Sequence, residues 1–380
     1  MVNSNADALG IIFPNSYDAL VPELVAERSM ASIPFAGRYR MIDFILSSMV
    51  NCGIDNISIL VRNNYRSLMD HLGSGREWDL TRKNGGLNIV PPFAEKNIKV
   101  YSGRIDAIAS ILSFLKNQKE KYVVMTDTNI AVNFDFNDMI KAHIESGADI
   151  TAAYIETEIP ESAKLADSSS KGLYYTFKVE DGFIRKIKIN SKEDGVQNLS
   201  MNIYVVDREF LIDEINTAFV HGFVYFERDI LVPKLDKLKV HAYKFDGYAA
   251  VISDMKSYFD ENMKLLDNAN LDALFAANPV YTKIRDDNPT RYIKGAKATN
   301  IMAADGCVIE GEVENSVLFR GVKVGKGAKV KNCVLMQDTV VEAGADVEYI
   351  ISDKNVTITE GKELKGNDSF PVFISKRQIV

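Results

Sequence analysis

Cysteine, histidine and tryptophan are scarce in this chain of 380 residues, which has three, four and one of them. The cysteines, Cys52, Cys307 and Cys333, are too few for a disulfide framework. None of them belongs to a Cys-x-x-Cys pair, and with so few histidines a zinc cage is not expected either. The scarcity of cysteine is typical of a protein that works in a reducing cytoplasm.

Long apolar runs and an excess of positive charge are also lacking. No window approaches the ~18 uncharged apolar residues that span a membrane. The first residues have no charged segment followed by a long apolar one, as a secretory signal would have. Acidic residues outnumber basic ones, 52 against 45, whereas a general nucleic-acid binder needs a basic surface to neutralise phosphates. We therefore expect a cytoplasmic protein that binds neither membranes nor nucleic acid.

The first part of the chain alternates strand-like and helix-like segments. Short β-rich runs at 56–61 and 122–126 predict buried strands, and apolar residues at helical spacing predict helices over 106–116 and 135–146, the second ending at Gly147. Such alternation predicts an α/β domain with a mostly parallel sheet and helices on both faces. Ligands of such domains lie beyond the carboxyl ends of the strands.

Later segments predict a hairpin, a further helix and a domain boundary. The Asp181-Gly182 pair between two alternating runs is a hairpin signal. A helical pattern returns within 248–267. The prolines and the charge cluster that follow predict a boundary between one domain over 1–285 and another over 286–380.

The C-terminal region contains an internal repeat. Residues 316–330 and 333–347 align at an offset of 17 positions with six identities, and aliphatic residues recur at about every sixth position. This is the pattern of a parallel β-helix of hexapeptide repeats, in which several coils must stack to bury a core. An ordinary β-meander with accidental similarity is the alternative, and an alignment over fifteen positions argues against it.

Four segments resemble a known enzyme family in the right order. They are 32–54 (SIPFAGRYRMIDFILSSMVNCGI), 101–108 (YSGRIDAI, against the family's Y-x-GTADA), 200–205 (SMNIYV) and 243–266. All resemble ADP-glucose pyrophosphorylases, also called glucose-1-phosphate adenylyltransferases. The resemblance implies a Rossmann-like nucleotidyltransferase domain followed by a left-handed parallel β-helix. It also implies synthesis of ADP-glucose from ATP and glucose 1-phosphate, with Mg²⁺, for glycogen or starch.

Several positions that the resemblance assigns to catalysis are altered. In the first loop one glycine, Gly10, is retained, the bulky residues 11–13 replace the flexible part, and Met30 replaces a lysine. Asp127 lies one position early for the metal-binding carboxylate, so a turn aspartate that caps the next segment is at least as good an interpretation. Val251 stands at the second metal carboxylate.

The family's sugar-phosphate element, FxEKP, is also absent, and residues 187–190 (IKIN) stand in its place. With the loop, the metal carboxylates and this element altered, we expect no catalytic residue and no metal site. Mg²⁺ belongs to the active members of the family. The resemblance is then to its degenerate subunits, which modulate a catalytic GlgC-type partner in a heterotetramer. The remnant nucleotide and sugar-phosphate pocket is expected at Gly10, Gly103, Asp106, Asp127 and Ser200. Whether it binds nucleotide stays open.

Basic residues near the N-terminus form a second candidate site. Arg38 and Arg40, with Arg62 and Arg66, predict a cluster that binds a phosphate-bearing effector or another subunit. Solvated surface charge is an equally good interpretation.

Two other functions remain as alternatives. One is an active sugar nucleotidyltransferase with a rearranged site. The other is a hexapeptide-repeat acyltransferase, which needs a catalytic histidine, and residues 293–380 contain none. His71, His143 and Trp78 are interpreted as structural residues. Asp254 is predicted to cap the helix that follows it.

Overall fold

The structure, a computed structural model, describes residues 7–92, 101–159, 164 and 174–380. The strands of its N-terminal part are β1 (Ala8–Phe13), β2 (Pro34–Phe35), β3 (Tyr39–Arg40), β4 (Asn56–Leu60), β5 (Gly86–Val90), β6 (Tyr122–Asp127), β7 (Ile130–Val132), β8 (Ile150–Glu158), β9 (Tyr175–Glu180), β10 (Phe183–Ile189), β11 (Val196–Asp207), β12 (Val240–Lys244) and β13 (Ala249–Val251).

The helices pack around these strands. They are α1 (Met41–Asn51), α2 (Arg66–Leu72), α3 (Arg104–Ala109), α4 (Leu112–Lys116), α5 (Phe136–Ser146), α6 (Arg208–Val220), α7 (Val232–Lys234), α8 (Met255–Lys264) and α9 (Asn268–Phe275). A π-helical turn, Phe226–Leu231, leads into α7. Within the described ranges no helix is both long and apolar enough to cross a bilayer.

The central sheet has nine strands in the order β5-β4-β1-β6-β11-β8-β12-β10-β9. Strands β5, β4, β1 and β6 are parallel, and so are β8 and β12. Strand β11 runs antiparallel to β6 and β8, and β9 with β10 forms an antiparallel hairpin. The predicted α/β domain is confirmed, and its sheet is parallel on the β5-to-β6 side and mixed as a whole.

Strand β1 explains why this sheet needs helices on both faces. All six of its residues are buried. Ala8 and Ile12 belong to one apolar core, and Leu9 and Ile11 belong to the core on the other face. Gly10 faces Met49 of α1, whose sulfur would lie only 2.7 Å from a Cβ at this position. Gly10 therefore allows close packing of α1 on the sheet.

The predicted helix over 106–116 is in fact two helices, α3 and α4. They are separated at Ser110 and Ile111. The Ser110 hydroxyl donates to the Ala107 carbonyl at 2.7 Å, a local bond that competes with the helical ladder. Asp106 lies in the first turn of α3, where its charge complements the helix dipole.

The other local predictions are confirmed. The Asp135 carboxylate caps α5, which ends at Gly147 in the left-handed region. Asp181 and Gly182 both have positive φ, as a type I′ hairpin turn requires. Asp254 caps α8 through the Ser257 backbone N–H at 2.6 Å.

The C-terminal region is a parallel β-helix. Its strands are β14 (Arg291–Tyr292), β15 (Lys297–Ala303), β16 (Val308–Ile309), β17 (Glu312–Leu318), β18 (Lys323–Val324), β19 (Lys329–Lys331), β20 (Val334–Leu335), β21 (Val340–Val341), β22 (Asp346–Glu348), β23 (Ile350–Ser352), β24 (Thr357–Ile358), β25 (Glu363–Lys365) and β26 (Val372–Ile374).

The repeat offset is the register of this β-helix. Val317 pairs with Val334, and Val334 pairs with Ile351, each 17 residues further on. On another face, Val324 pairs with Val341. Every pairing between the strands β14 to β26 is parallel, which rules out the β-meander.

The two parts of the molecule share an apolar core and a buried ion pair. Phe35 and Tyr258 pack in one cluster with Val317 and Ile351 of the β-helix. Helix α9 ends at Phe275 and β14 begins at Arg291, so the boundary at 285 and 286 stays a prediction within this connection.

The ion pair joins Arg28 of the N-terminal part to Asp353 of the β-helix. The Arg28 Nη2 donates to the two Asp353 carboxylate oxygens at 2.6 and 2.7 Å, and both residues are less than 5% exposed. Removing the guanidinium would leave Asp353 buried without its ion-pair partner.

We expect Arg28→Ala to lower the free energy of unfolding by about 3–5 kcal/mol, because breaking a buried pair strands the other charge. The exposed pair of Arg82 with Asp55 supplies the control, and Arg82→Ala should cost about 0–1 kcal/mol. Denaturant unfolding of both variants measures the difference. Similar losses in the two variants would contradict this role for Arg28.

Candidate functional site

A cavity of about 330 Å³ opens at the carboxyl ends of β1, β4 and β6. Phe13, Leu60 and Asp127 are the last residues of these strands, and all three line it. Because the strands are parallel, their carboxyl ends meet at one edge, where α/β sheets bind ligands. The volume is at the lower end of the range for ligand pockets. We call this space the strand-end cavity.

The loop after β1 differs from the sequence-based expectation. The bulky residues 11–13 belong to the strand, so they do not form the loop, which begins at Pro14. Side chains hold this loop: the Asn15 amide donates to Asp18 at 2.7 Å, and Asp18 accepts from the Met30 backbone N–H at 2.7 Å. The loop thus carries a carboxylate at the cavity, and a carboxylate repels phosphate.

Three charged side chains from distant segments meet in the cavity. The Arg104 guanidinium, at the start of α3, donates from Nη2 to Asp127 Oδ2 and from Nη1 to Glu227 Oε1. Each of the three residues is less than 10% exposed. Asp127 therefore does not cap the following segment, because its carboxylate is bound to an internal cation. We call these residues the Arg104 cluster.

Aromatic rings enclose the Arg104 cluster. The guanidinium carbon lies 5.3 Å from the Phe13 ring centroid and 5.6 Å from that of Tyr204, within cation–π range. Burial raises the pKa of Asp127 to about 6, against the opposing effect of the Arg104 charge. Burial works against a charged Arg104, yet Asp127 and Glu227 hold its pKa above the ordinary value, so the guanidinium stays charged.

The five residues expected in the remnant pocket do not all meet there. Gly103 and Asp127 line the strand-end cavity. Gly10 lies inside β1. Asp106 accepts from the Ser102 backbone N–H at 3.0 Å, and the Ser200 hydroxyl accepts from the Asn202 backbone N–H at 3.1 Å. A binding role for the five stays a prediction.

Sequence reasoning missed Arg104 and Glu227. Arg104 could have been found from the sequence, because it stands in YSGRIDAI where the family's element has threonine. No sequence pattern points to Glu227, which lies 123 positions from Arg104 in the chain.

The residues present do not fit the Mg²⁺ that the family resemblance implies. Asp127 is bound to Arg104, and Val251 lies in β13, paired with Ile130 of β7. In the part of the chain that the structure describes, no group of three or more His, Cys, Asp or Glu side chains could hold a metal ion.

The predicted basic cluster is divided among three places. Arg62 lines the strand-end cavity. Arg40 donates to the Ser67 carbonyl at 2.7 Å. Arg38 is half-exposed and lies 3.8 Å from the Asp305 carboxylate of the β-helix.

Arg40 instead lies close to two cations at the junction with the β-helix, Arg28 and Lys354. Burial, together with the charges of Arg40 and Arg28, lowers the pKa of Lys354 to about 7. Among the described residues the Lys354 ammonium has no hydrogen-bond or ion-pair partner. We call Arg28, Arg40 and Lys354 the junction cluster. Lys354 was not predicted from the sequence.

The residues interpreted as structural are buried and bonded. His71 Nε2 lies 2.6 Å from Asp43 Oδ1, and His143 Nδ1 lies 2.9 Å from the Thr151 hydroxyl. The Trp78 indole donates to the Ser47 hydroxyl at 3.2 Å. The three cysteines are free and buried.

Comparisons with known proteins agree with this architecture. A family model described as nucleotidyl transferase matches residues 21–165, and one described as GlmU-like, C-terminal hexapeptide matches residues 284–369. Fold and strand-end cavity thus define a protein of the nucleotidyl transferase class that carries a hexapeptide β-helix.

Full-length relatives narrow this class to a family. The glycogen biosynthesis protein GlgD of Bacillus subtilis (strain 168) is 34% identical over 98% of this chain and 96% of its own length. GlgD of Geobacillus stearothermophilus is 36% identical over 86% of this chain and 83% of its own length. The glucose-1-phosphate adenylyltransferase of Clostridium perfringens (strain SM101 / Type A) is 29% identical over 99% of this chain and 96% of its own length. This chain belongs to the family of GlgD and glucose-1-phosphate adenylyltransferases.

The raised pKa of Asp127 predicts a pH dependence of stability. The folded-state pKa of about 6 exceeds the ordinary 3.8, so the folded state binds more protons between these values, and stability falls as the pH rises from about 4 to 6. Asp127→Asn removes this contribution, and its unfolding midpoint should fall less over that range. Denaturant unfolding at several pH values measures the slope. An unchanged slope in the variant would contradict the assignment.

Proposed function

We propose that this chain is a non-catalytic or weakly active GlgD-type subunit of glucose-1-phosphate adenylyltransferase in glycogen biosynthesis. It modulates a catalytic GlgC-type partner within a hetero-oligomer. The relatives named above support the pathway. The pairing of Arg104 with Asp127 and Glu227 carries the argument against catalysis.

The charge balance of the strand-end cavity disfavours polyphosphate chemistry. Nucleotidyl transfer from ATP needs cations and backbone N–H groups that stabilise negative charge on the phosphates. Here Arg104 is already engaged by two carboxylates, and the neighbouring loop adds Asp18. Arg62 remains as a cation on the cavity wall.

Val251, at the position of the second metal carboxylate, also argues against catalysis. A divalent ion at the phosphates contributes several kcal/mol to stabilising the transition state. Losing about 4 kcal/mol slows a reaction by roughly a thousandfold. A chain without this ion would retain at most weak turnover.

The alternative is an active sugar nucleotidyltransferase with a rearranged site. The position of the strand-end cavity at the carboxyl ends of parallel strands favours it, because this edge is where the fold binds ligands.

Activity of the isolated chain distinguishes the two functions. We expect the purified chain to catalyse pyrophosphorolysis of ADP-glucose at least about a hundredfold more slowly than a catalytic subunit. Added to that subunit, it should change the rate or the response to effectors. Metal-dependent turnover by the chain alone at a rate like the catalytic subunit's would contradict the proposal, and so would a mixture that behaves like the catalytic subunit alone.

A phosphate-bearing effector would bind at the junction cluster. The Lys354 ammonium is half-buried beside two guanidinium groups, and an anion placed among them would relieve their mutual repulsion. The cluster joins the N-terminal part to the β-helix, so an anion there would stabilise one relative arrangement of the two.

Lys354→Gln should remove most of the stabilisation that inorganic phosphate gives the chain, because the ammonium that would face the anion is lost. Lys323→Gln, at an exposed position of the β-helix, is the matched control and should respond to phosphate as the unaltered chain does. Thermal unfolding with increasing phosphate, at constant ionic strength, measures both. Equal responses of the two variants would rule out Lys354 as part of the anion site.

A further inference from the structure

The Arg104 cluster consists of two buried carboxylates and a cation, the Arg104 guanidinium, that belongs to the chain itself. Asp127 ends β6, Glu227 lies in the π-helical turn and Arg104 begins α3. Each of the two carboxylates accepts a hydrogen bond from a different nitrogen of the same guanidinium. The guanidinium therefore lies between them.

Charge and burial explain why a cation must be present there. Two carboxylates that are each 3% exposed would repel each other strongly without a positive charge between them. With Arg104 the cluster still carries one formal negative charge.

One oxygen of the pair remains available. Asp127 Oδ1 is buried and, among the described residues, has no hydrogen-bond partner of good geometry, although the Ser16 hydroxyl is close enough to favour the ionised form. This oxygen and the two that now bind Arg104 are hard oxygen donors, the kind that Mg²⁺ and Mn²⁺ prefer.

We propose that Arg104 acts as a tethered replacement for a divalent cation, and that removing its side chain would uncover a divalent-cation site formed by Asp127 and Glu227. In the natural chain the guanidinium fills this space and its charge keeps other cations out. The cluster is thereby held together without a metal. This inference does not depend on the proposed modulatory role, because it concerns the isolated chain.

Binding of Mn²⁺ to the full chain tests the proposal directly. Free Mn²⁺ gives an electron paramagnetic resonance signal that is lost on binding, so a titration reports affinity without any enzymatic assay. Arg104→Ala should bind Mn²⁺ at least about tenfold more tightly than the unaltered chain does. Arg104→Lys is the matched control and should bind no better than the unaltered chain, because the lysine retains the charge.

A second substitution tests which groups bind the ion. In the double variant Arg104→Ala with Asp127→Asn, the tighter binding should disappear. Equal Mn²⁺ affinity of the double and single variants would overturn the proposal, as would an Arg104→Ala variant that binds Mn²⁺ no better than the unaltered chain.

If Arg104→Ala is unstable without metal, thermal unfolding in the presence of Mn²⁺ tests the proposal instead. Its thermal unfolding midpoint should then rise with Mn²⁺ concentration, while those of Arg104→Lys and the unaltered chain should not. An Arg104→Ala variant that Mn²⁺ does not stabilise would count against the proposal.

Discussion

The strand-end cavity depends on the position of one guanidinium group. Arg104 is bound by Asp127 at the end of a central strand and by Glu227 in the π-helical turn, and the rings of Phe13 and Tyr204 lie against it. An arginine in this place pairs with both buried carboxylates, and we propose that it thereby takes the place of a metal ion. The fold's usual ligand edge is kept, and the carboxylates on it disfavour phosphates.

The structure separates two sites that carry different kinds of charge. The strand-end cavity holds three acids, of which two are paired with Arg104. The junction cluster holds an excess of positive charge, with Lys354 unpaired between the domains. We propose that an anion binds at the junction cluster, where it would act on how the N-terminal part and the β-helix pack.

Local patterns were sufficient to predict most of the fold. The 17-residue repeat gave the register of the β-helix because every coil repeats the same contacts. The caps of α5 and α8 and the turn at Asp181 depend only on residues that are neighbours in the chain. They could therefore be predicted from short segments of sequence. The break between α3 and α4 was missed because the apolar residues keep their helical spacing across it. The Arg104 cluster joins residues 23 and 123 positions apart, and the ion pair of Arg28 with Asp353 joins residues 325 positions apart. No periodicity connects such residues.

We propose that Arg104 occupies the place of a divalent cation in the strand-end cavity, so a ligand there should bind without metal. The most direct measurement is calorimetric titration of the isolated chain with ADP-glucose, with and without Mg²⁺. We expect the same affinity in both conditions. An affinity that Mg²⁺ raises by about tenfold or more would contradict it.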